Sequence, residues 1–204
     1  MSGSHFRFME LDTGNLLGDR VILEPMRPEH LDGLVSRGLD ESIWRIAVDR
    51  IRGREEMAKY VDDALRDREL GSAVPFVTLL ADSHEIVGST RFGNIDVYNR
   101  KVEIGWTWIV PKWQRSFVNT EAKLLMLTHA FETWNCIRVE FKTDALNVAS
   151  RAAIARLGAV EEGILRQHMI TDTGRFRDSV YFSILDHEWP SVKSALLEKL
   201  RERK

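Results

Sequence analysis

The chain has little from which to build covalent or metal scaffolding. One of its 204 residues, Cys136, is cysteine, so no disulfide can form within the chain and a reducing, cytoplasmic setting is the expectation. Cys136 opens an apolar stretch and reads as a small buried hydrophobe rather than a nucleophile. The six histidines lack metal-site spacing, so no metal is implied. No apolar run approaches the roughly 20 residues that cross a bilayer, and the N-terminus shows no leader pattern. A formal net charge of -2 gives no general attraction to nucleic acid or to an anionic membrane. Internal repeats, low-complexity tracts and interdomain linkers are also missing. What is left is an ordinary globular composition, 44% hydrophobic and 29% charged, long enough for one domain with a real core.

The informative stretch runs from Val102 to Lys123. Val102, Ile104, Trp106, Trp108 and Val110 alternate with Glu103, Gly105, Thr107 and Ile109, which predicts a strand with one apolar face. Pro111 ends it, because proline cannot donate to a ladder. Residues 120–134 predict a helix, with Asn119 or Thr120 as its N-cap. A strand that feeds a short loop onto a helix N-terminus is a candidate anion site, since loop amides and helix dipole point at one place.

Around that stretch the chain divides into an N-terminal tail (1–19), a single domain (20–190) and a charged C-terminal helix (191–204). Residues 1–5 read as a cloning remnant or a loose native tail. Strands are expected at 20–26, 74–81, 85–96, 136–144, 160–171 and 176–186, with turns at 82–84, 98–101 and 172–174. Helices are expected at 28–37 and at 54–70, where Met57, Tyr60, Val61, Ala64 and Leu65 form an apolar stripe. A third follows Asn147 as cap and ends at Gly158. Strand 102–110, helix 120–134 and strand 136–144 make a β-α-β unit, hence a parallel pair with a right-handed crossover. The expected fold class is mixed α/β: a mostly antiparallel sheet with one parallel, splayed strand pair and helices on both faces. Ligands of such sheets bind at the carboxyl ends of the parallel strands, where two helix N-termini converge here.

In order along the chain stand Glu103-Ile-Gly-Trp106, Val110-Pro111, Asn119-Thr-Glu-Ala-Lys123, Asn147-Val-Ala-Ser150 with Leu157-Gly-Ala159, and residues 177–189. Taken together, over about residues 20–190, these motifs resemble the GNAT superfamily of acyl-CoA N-acyltransferases, and within it the ribosomal-protein (RimJ/RimL-like) N-acetyltransferase branch. The resemblance implies acetyl-CoA as acyl donor and an amine acceptor, a protein N-terminus or a small molecule. It implies that Trp108, Ile109 and Val110 pair with the pantetheine arm, and that the loop Gln114, Arg115, Ser116, Phe117, Val118, Asn119 and Thr120 holds the pyrophosphate. Asn147 and Ser150 would lie near pantetheine and thioester. Acceptor identity and oligomeric state stay open, a homodimer included.

The chemistry asks for a base, because an amine is mostly protonated at neutral pH, and a carboxylate can serve. Glu103 is the candidate; its alternative is a carboxylate paired across the sheet with Arg or Lys. The oxyanion needs donors such as the amides of Ile109 or Val110. The family's tyrosine acid is excluded, since Ile154 stands there. Ser150 could donate to sulfur or serve only in the helix cap, and Tyr181 reads as core rather than acid. Trp106, Trp108 and Trp113 read as packing before pocket lining. His129 reads as packed inside its helix, and His168 as a strand residue that could border the acceptor cleft. Arg175 and Arg177 with Asp178 read as a structural pair at the hairpin rather than a substrate clamp.

One departure stands out. The family's phosphate loop reads Gln/Arg-x-x-Gly-x-Gly/Ala, but here Phe117 and Asn119 replace the small residues, and Arg115 stands where the nearer branch often has a further glycine. A left-handed Phe117 would cost about 1–2 kcal/mol, and Phe117→Gly would then tighten CoA binding. The rival reading that follows is a GNAT-fold binding or regulatory protein with impaired CoA binding.

Overall fold

The structure, a computed structural model, describes Leu11 and residues 13–202; residues 1–5 lie outside the described residues. The strands are β1 (Leu16–Leu17), β2 (Val21–Pro25), β3 (Val74–Leu80), β4 (Ile86–Asp96), β5 (Lys101–Ile109), β6 (Arg138–Asp144), β7 (Val160–Ile170) and β8 (Phe176–Leu185). They join in one sheet in the order β1-β2-β3-β4-β5-β6-β8-β7. The helices are α1 (Leu31–Gly38), α2 (Glu41–Trp44), α3 (Arg54–Glu69), α4 (Phe117–Thr128), α5 (Val148–Leu157) and α6 (Trp189–Glu202). The sheet starts earlier than expected: Leu16 and Leu17, inside the supposed tail, pair with Leu23 and Ile22.

Two consecutive residues of β4 show that helices cover both faces. Arg91 reaches Asp67 of α3 at 3.0 Å, while Thr90 accepts from Lys123 of α4 at 2.9 Å. Neighbouring strand residues point oppositely, so α3 and α4 lie on opposite sides. Val102, Ile104, Val139, Phe141, Val180 and Phe182 fill the core.

Among the described residues β5 and β6 form the one parallel pair, and it is short. Lys101, Val102 and Glu103 pair with Arg138, Val139 and Glu140. Beyond Glu103, β5 stays with β4 as far as Ile109, while β6 stays with β8 as far as Asp144. The two strands therefore diverge from Glu103 onward, and each runs toward a helix N-terminus, α4 and α5 respectively.

The alternation expected for residues 102–110 breaks at Trp106. Ser89 faces Trp108 and Arg91 faces Gly105, so Trp106 and Thr107 together oppose Thr90. This is a bulge, with Trp106 left-handed at φ 49°. It reverses the parity of everything after it. Trp108 leaves the side of Val102 and Ile104 and packs on Trp44 of α2, ring centroids 5.8 Å apart. Trp106 is 41% exposed and Trp108 5%. The Trp106 ring lies over Gly93, where an added Cβ would stand 2.3 Å from it. Only glycine leaves that room.

The helix expected at 120–134 begins and ends elsewhere. Ser116 is its N-cap, its Oγ accepting from the Val118 amide at 3.2 Å, so Asn119 and Thr120 are not caps but first-turn residues. The helix closes in a π-helical turn over His129–Thr133, in which the Trp134 amide donates to the His129 carbonyl at 3.0 Å. α5 behaves as expected, with Asn147 as cap and left-handed Gly158 (φ 101°) as its end.

Candidate active site

Glu103 occupies the last parallel pair, so its side chain sits where the two strands part. It is only 3% exposed. Asn94 donates to its Oε2 from 2.7 Å, and Lys142 of β6 places its Nζ 3.2 Å away. The pairing across the sheet is therefore real, and it holds the carboxylate at the apex of the cleft. Gly105 leaves space beside it: an added Cβ there would lie 3.1 Å from Glu103 Oε1.

Past the bulge β5 offers a backbone edge. The Val110 amide donates to the Val87 carbonyl at 2.9 Å, which removes it as an oxyanion donor. Antiparallel pairing alternates, so the Ile109 N–H and C=O turn the other way, into the splay. The Ile109 carbonyl accepts from Gln114 Nε2 at 3.0 Å. Gln114 thus reaches back to the strand edge instead of pointing only at the phosphate loop.

The loop corrects the expected seat of strain. Arg115, not Phe117, is left-handed, at φ 61°. Phe117 is the first helical residue of α4; its ring rests on Trp113 at 5.7 Å and beneath the Arg20 guanidinium at 4.0 Å. The Ser116 side chain is engaged within the loop, donating to the Trp113 carbonyl at 2.6 Å while capping Val118. Val118 is buried; Asn119 and Thr120 are half-buried in the first turn. A helix start carries unsatisfied amides by construction, and the Val118 amide is the one that Ser116 takes. At the other side of the splay the Asn147 Oδ1 accepts from the Ser150 amide at 3.0 Å. Ser150 is thus the capped residue and not the cap.

The contacts made by four residues of this arrangement escape the sequence reading. Asn94 carries a left-handed φ of 47° that nothing in its neighbours signals. Glu121, in the Thr-Glu-Ala motif, is buried and accepts from the Arg20 amide at 2.8 Å and the Val21 amide at 3.3 Å, so it ties α4 to β2. Lys142 was visible only as a member of a polar strand face. Lys123 lies under the bulge with its Nζ donating to Thr107 at 2.6 Å and Thr90 at 2.9 Å, and burial pushes its pKa down to about 7.

The remaining candidates separate cleanly. Burial pushes the Cys136 thiol up to about 12, which leaves it an inert apolar group at neutral pH. His129 is packed against Trp134 at 4.8 Å, and burial lowers its pKa. Tyr181 lies half-buried on the cleft side of β8, with Lys142 5.9 Å above its ring and His168 at 5.7 Å. His168 is held by Ser179, Nδ1 to Oγ 3.0 Å. The pairing expected among Arg175, Arg177 and Asp178 does not occur: Arg175 binds Asp144, and Asp178 accepts from the Gln167 amide at 2.7 Å. Among the described residues no helix is long and apolar enough to cross a membrane.

Comparison with known proteins matches this geometry. Residues 20–160 match the acetyltransferase (GNAT) domain family. A GCN5-related N-acetyltransferase from Brucella melitensis is 30% identical and superposes with a TM-score of 0.84, over 91% of this chain and 85% of that one. YdaF of Bacillus subtilis strain 168, provisionally named a ribosomal N-acetyltransferase, is 35% identical over 108 residues, which is 53% of this chain and 58% of that protein. The chain thus aligns with little more than half the length of that relative. The RimJ of Mycobacterium smegmatis, solved in complex with CoA-disulfide, shares the fold at a TM-score of 0.74 and 23% identity, over 92% of this chain and 97% of that one. With a splayed parallel pair, a bulged strand at the splay and two helix N-termini at its mouth, the chain belongs to the GNAT acetyltransferase family.

Proposed function

We propose that the protein transfers an acetyl group from acetyl-CoA directly to a primary amine, with Glu103 as the base. The observation that carries this is the position of Glu103, buried at the apex of the splay and fixed from two sides by Asn94 and Lys142. The pantetheine arm pairs with the free edge of β5 at Ile109, with Trp108 and Val110 flanking, once the Gln114 side chain yields the Ile109 carbonyl. The pyrophosphate sits at the start of α4, among the loop residues 114–120. Left-handed Arg115 and the Ser116 cap already give that loop its turn without a glycine at 117. The exposed Arg115 side chain supplies positive charge there.

The acceptor amine gives a proton to Glu103, directly or through one water, and its nitrogen attacks the thioester carbon. The carbon–nitrogen bond forms, the carbon–sulfur bond breaks as the tetrahedral intermediate collapses, and the second proton lost from nitrogen passes to the departing thiolate to give the free thiol. The Ile109 amide, turned into the splay, is the donor for the transient oxyanion. Asn147 and Ser150, at the start of α5, flank the thioester, with the Ser150 hydroxyl available to the leaving sulfur. The likeness to YdaF, named for a ribosomal substrate, favours a protein N-terminus as one acceptor class.

The test is thiol release from acetyl-CoA over a panel of amines, including short peptides with free N-termini. Release that requires an amine and yields its acetylated product supports direct transfer. Tight binding of acetyl-CoA with no amine-dependent release would point instead to a binding or regulatory role.

A further inference from the structure

On the cleft side of β6 and β8 lies a group of charges that does not balance. Glu103 has Lys142 at 3.2 Å. Asp144, 2% exposed, has Arg175 as its ion-pair partner and also accepts from the Leu146 amide at 2.9 Å. Arg177 is the third cation, and neither carboxylate is left to pair with it. It is 8% exposed, and its buried Nε has no hydrogen-bond partner. Among the described residues it makes no ion pair. Asp178 beside it is committed to the Gln167 amide across the β7–β8 bulge. Glu140, on the same strand face as Lys142, is held by Arg138 at 2.8 Å.

The Arg177 guanidinium senses both carboxylates of the cleft. Burial lowers its pKa, against the attraction of Asp144 and then of Glu103, and with Arg175 repelling it. Arg177 shares the strand face of Ser179 and Tyr181, which pair with Asp144 and Lys142, and Lys142 holds Glu103, so Arg177 faces the same side of the sheet as Glu103. An arginine stays charged in a protein, and an unpaired buried charge is costly. A planar guanidinium with unused donors is suited to a carboxylate or phosphate.

The cleft also has a strap at this end. The Asp172 amide, in the β7–β8 turn, donates to the Val48 carbonyl at 2.8 Å, and the Asp172 carboxylate meets Arg52 at 3.1 Å and Arg50 at 3.8 Å. The segment between α2 and α3 is thus fastened to the hairpin that carries Arg177.

We propose that Arg177 is a specificity-determining residue, binding an anionic group, carboxylate or phosphate, on the acceptor while Glu103 receives the amine. This rests on the transfer reading above and names its acceptor class: an amine that carries a negative charge within reach of the same cleft. The excess positive charge of the group is then neutralised only when such an acceptor is bound.

The test uses matched acceptor pairs with the full-length protein and acetyl-CoA: an α-amino acid against its amide, and an aminoalkyl phosphate against the aminoalkyl alcohol. The expected result is a kcat/KM preference of at least tenfold for the anionic member of one pair or both; the pair that shows it identifies the anion. Arg177→Gln should erase that preference and leave the neutral members within about twofold, while Arg177→Lys restores part of it. Because Arg177→Gln removes an uncompensated buried charge, the thermal unfolding midpoint should stay the same or rise, and not fall. The same pairs are titrated calorimetrically into protein saturated with CoA, so that recognition is read even if no amine is turned over. Equal behaviour of both members of both pairs in the titration overturns the proposal, as does an equal loss for charged and neutral acceptors in Arg177→Gln. A charge preference in binding without any thiol release would overturn the transfer reading alone.

Discussion

Lys123 Nζ lies 2.6 Å from Thr107 Oγ1, directly beneath the bulge of the cleft strand, and Lys123 is 4% exposed. Both partners of this ammonium, Thr107 and Thr90, are neutral hydroxyls. Its pKa falls from 10.5 to about 7 through burial. Between these values the unfolded chain holds the proton and the folded chain does not. Stability therefore rises as pH increases from about 7 to about 10.5, and the penalty is fully present below 7. Denaturant unfolding across this range measures it. Lys123→Met should raise stability at pH 7 and flatten this rise. A parallel pH dependence in the variant would show that the lysine is not the source.

Glu103→Gln keeps the shape and the acceptor for Asn94 but removes the base. Turnover should fall by about 10²-fold or more, CoA affinity should stay near the wild-type value, and the rise of rate with pH should flatten. An unchanged pH profile would reduce Glu103 to a structural partner of Lys142.

The phosphate loop gives a paired prediction. Arg115 is the left-handed residue, so Arg115→Gly relieves about 1 kcal/mol of backbone strain and tests whether its charge matters for CoA. Phe117→Gly, by contrast, removes a ring packed on Trp113 and under Arg20, at the first helical residue. It should lower stability and should not tighten CoA binding. Calorimetry on both variants separates these: tighter binding by Phe117→Gly alone would return the strain to residue 117.

Trp108 should matter to the fold more than Trp106. Trp108 fills the space between Trp44 and Gly38, whose added Cβ would meet its ring at 2.8 Å. Trp108→Ala should cost about 3–5 kcal/mol. The half-exposed Trp106 should cost clearly less, as read by denaturant midpoints.

The succession of strands from residue 20 onward and the site of the splay are legible because they follow from period-2 patterning and from one β-α-β unit, whereas the placing of β8 rather than β7 beside β6 depends on pairing that no local pattern specifies. Residues 136–144 and 147–158 carry alternation, an Asn cap and a Gly end that local chemistry alone can specify. The bulge at Trp106 was not legible. It depends on Gly93 across the ladder making room for the indole, a partner that only pairing reveals. The same limit hid the start of α4. Asn119 and Thr120 are both good caps in isolation, yet the left-handed Arg115 sets Ser116 as the cap. The charges on β6 and β8 were visible as alternating polar residues, but which of them find partners depends on side-chain reach across strands. Arg177 is distinguished by having no ion-pair partner among the described residues.

The most direct measurement is a calorimetric titration of the wild-type protein with acetyl-CoA. The loop geometry and the splay-facing Ile109 amide predict saturable one-to-one binding well below millimolar ligand, weakened by an Ile109→Pro substitution that deletes that amide. No detectable binding at millimolar acetyl-CoA would contradict the account of this cleft as a donor site.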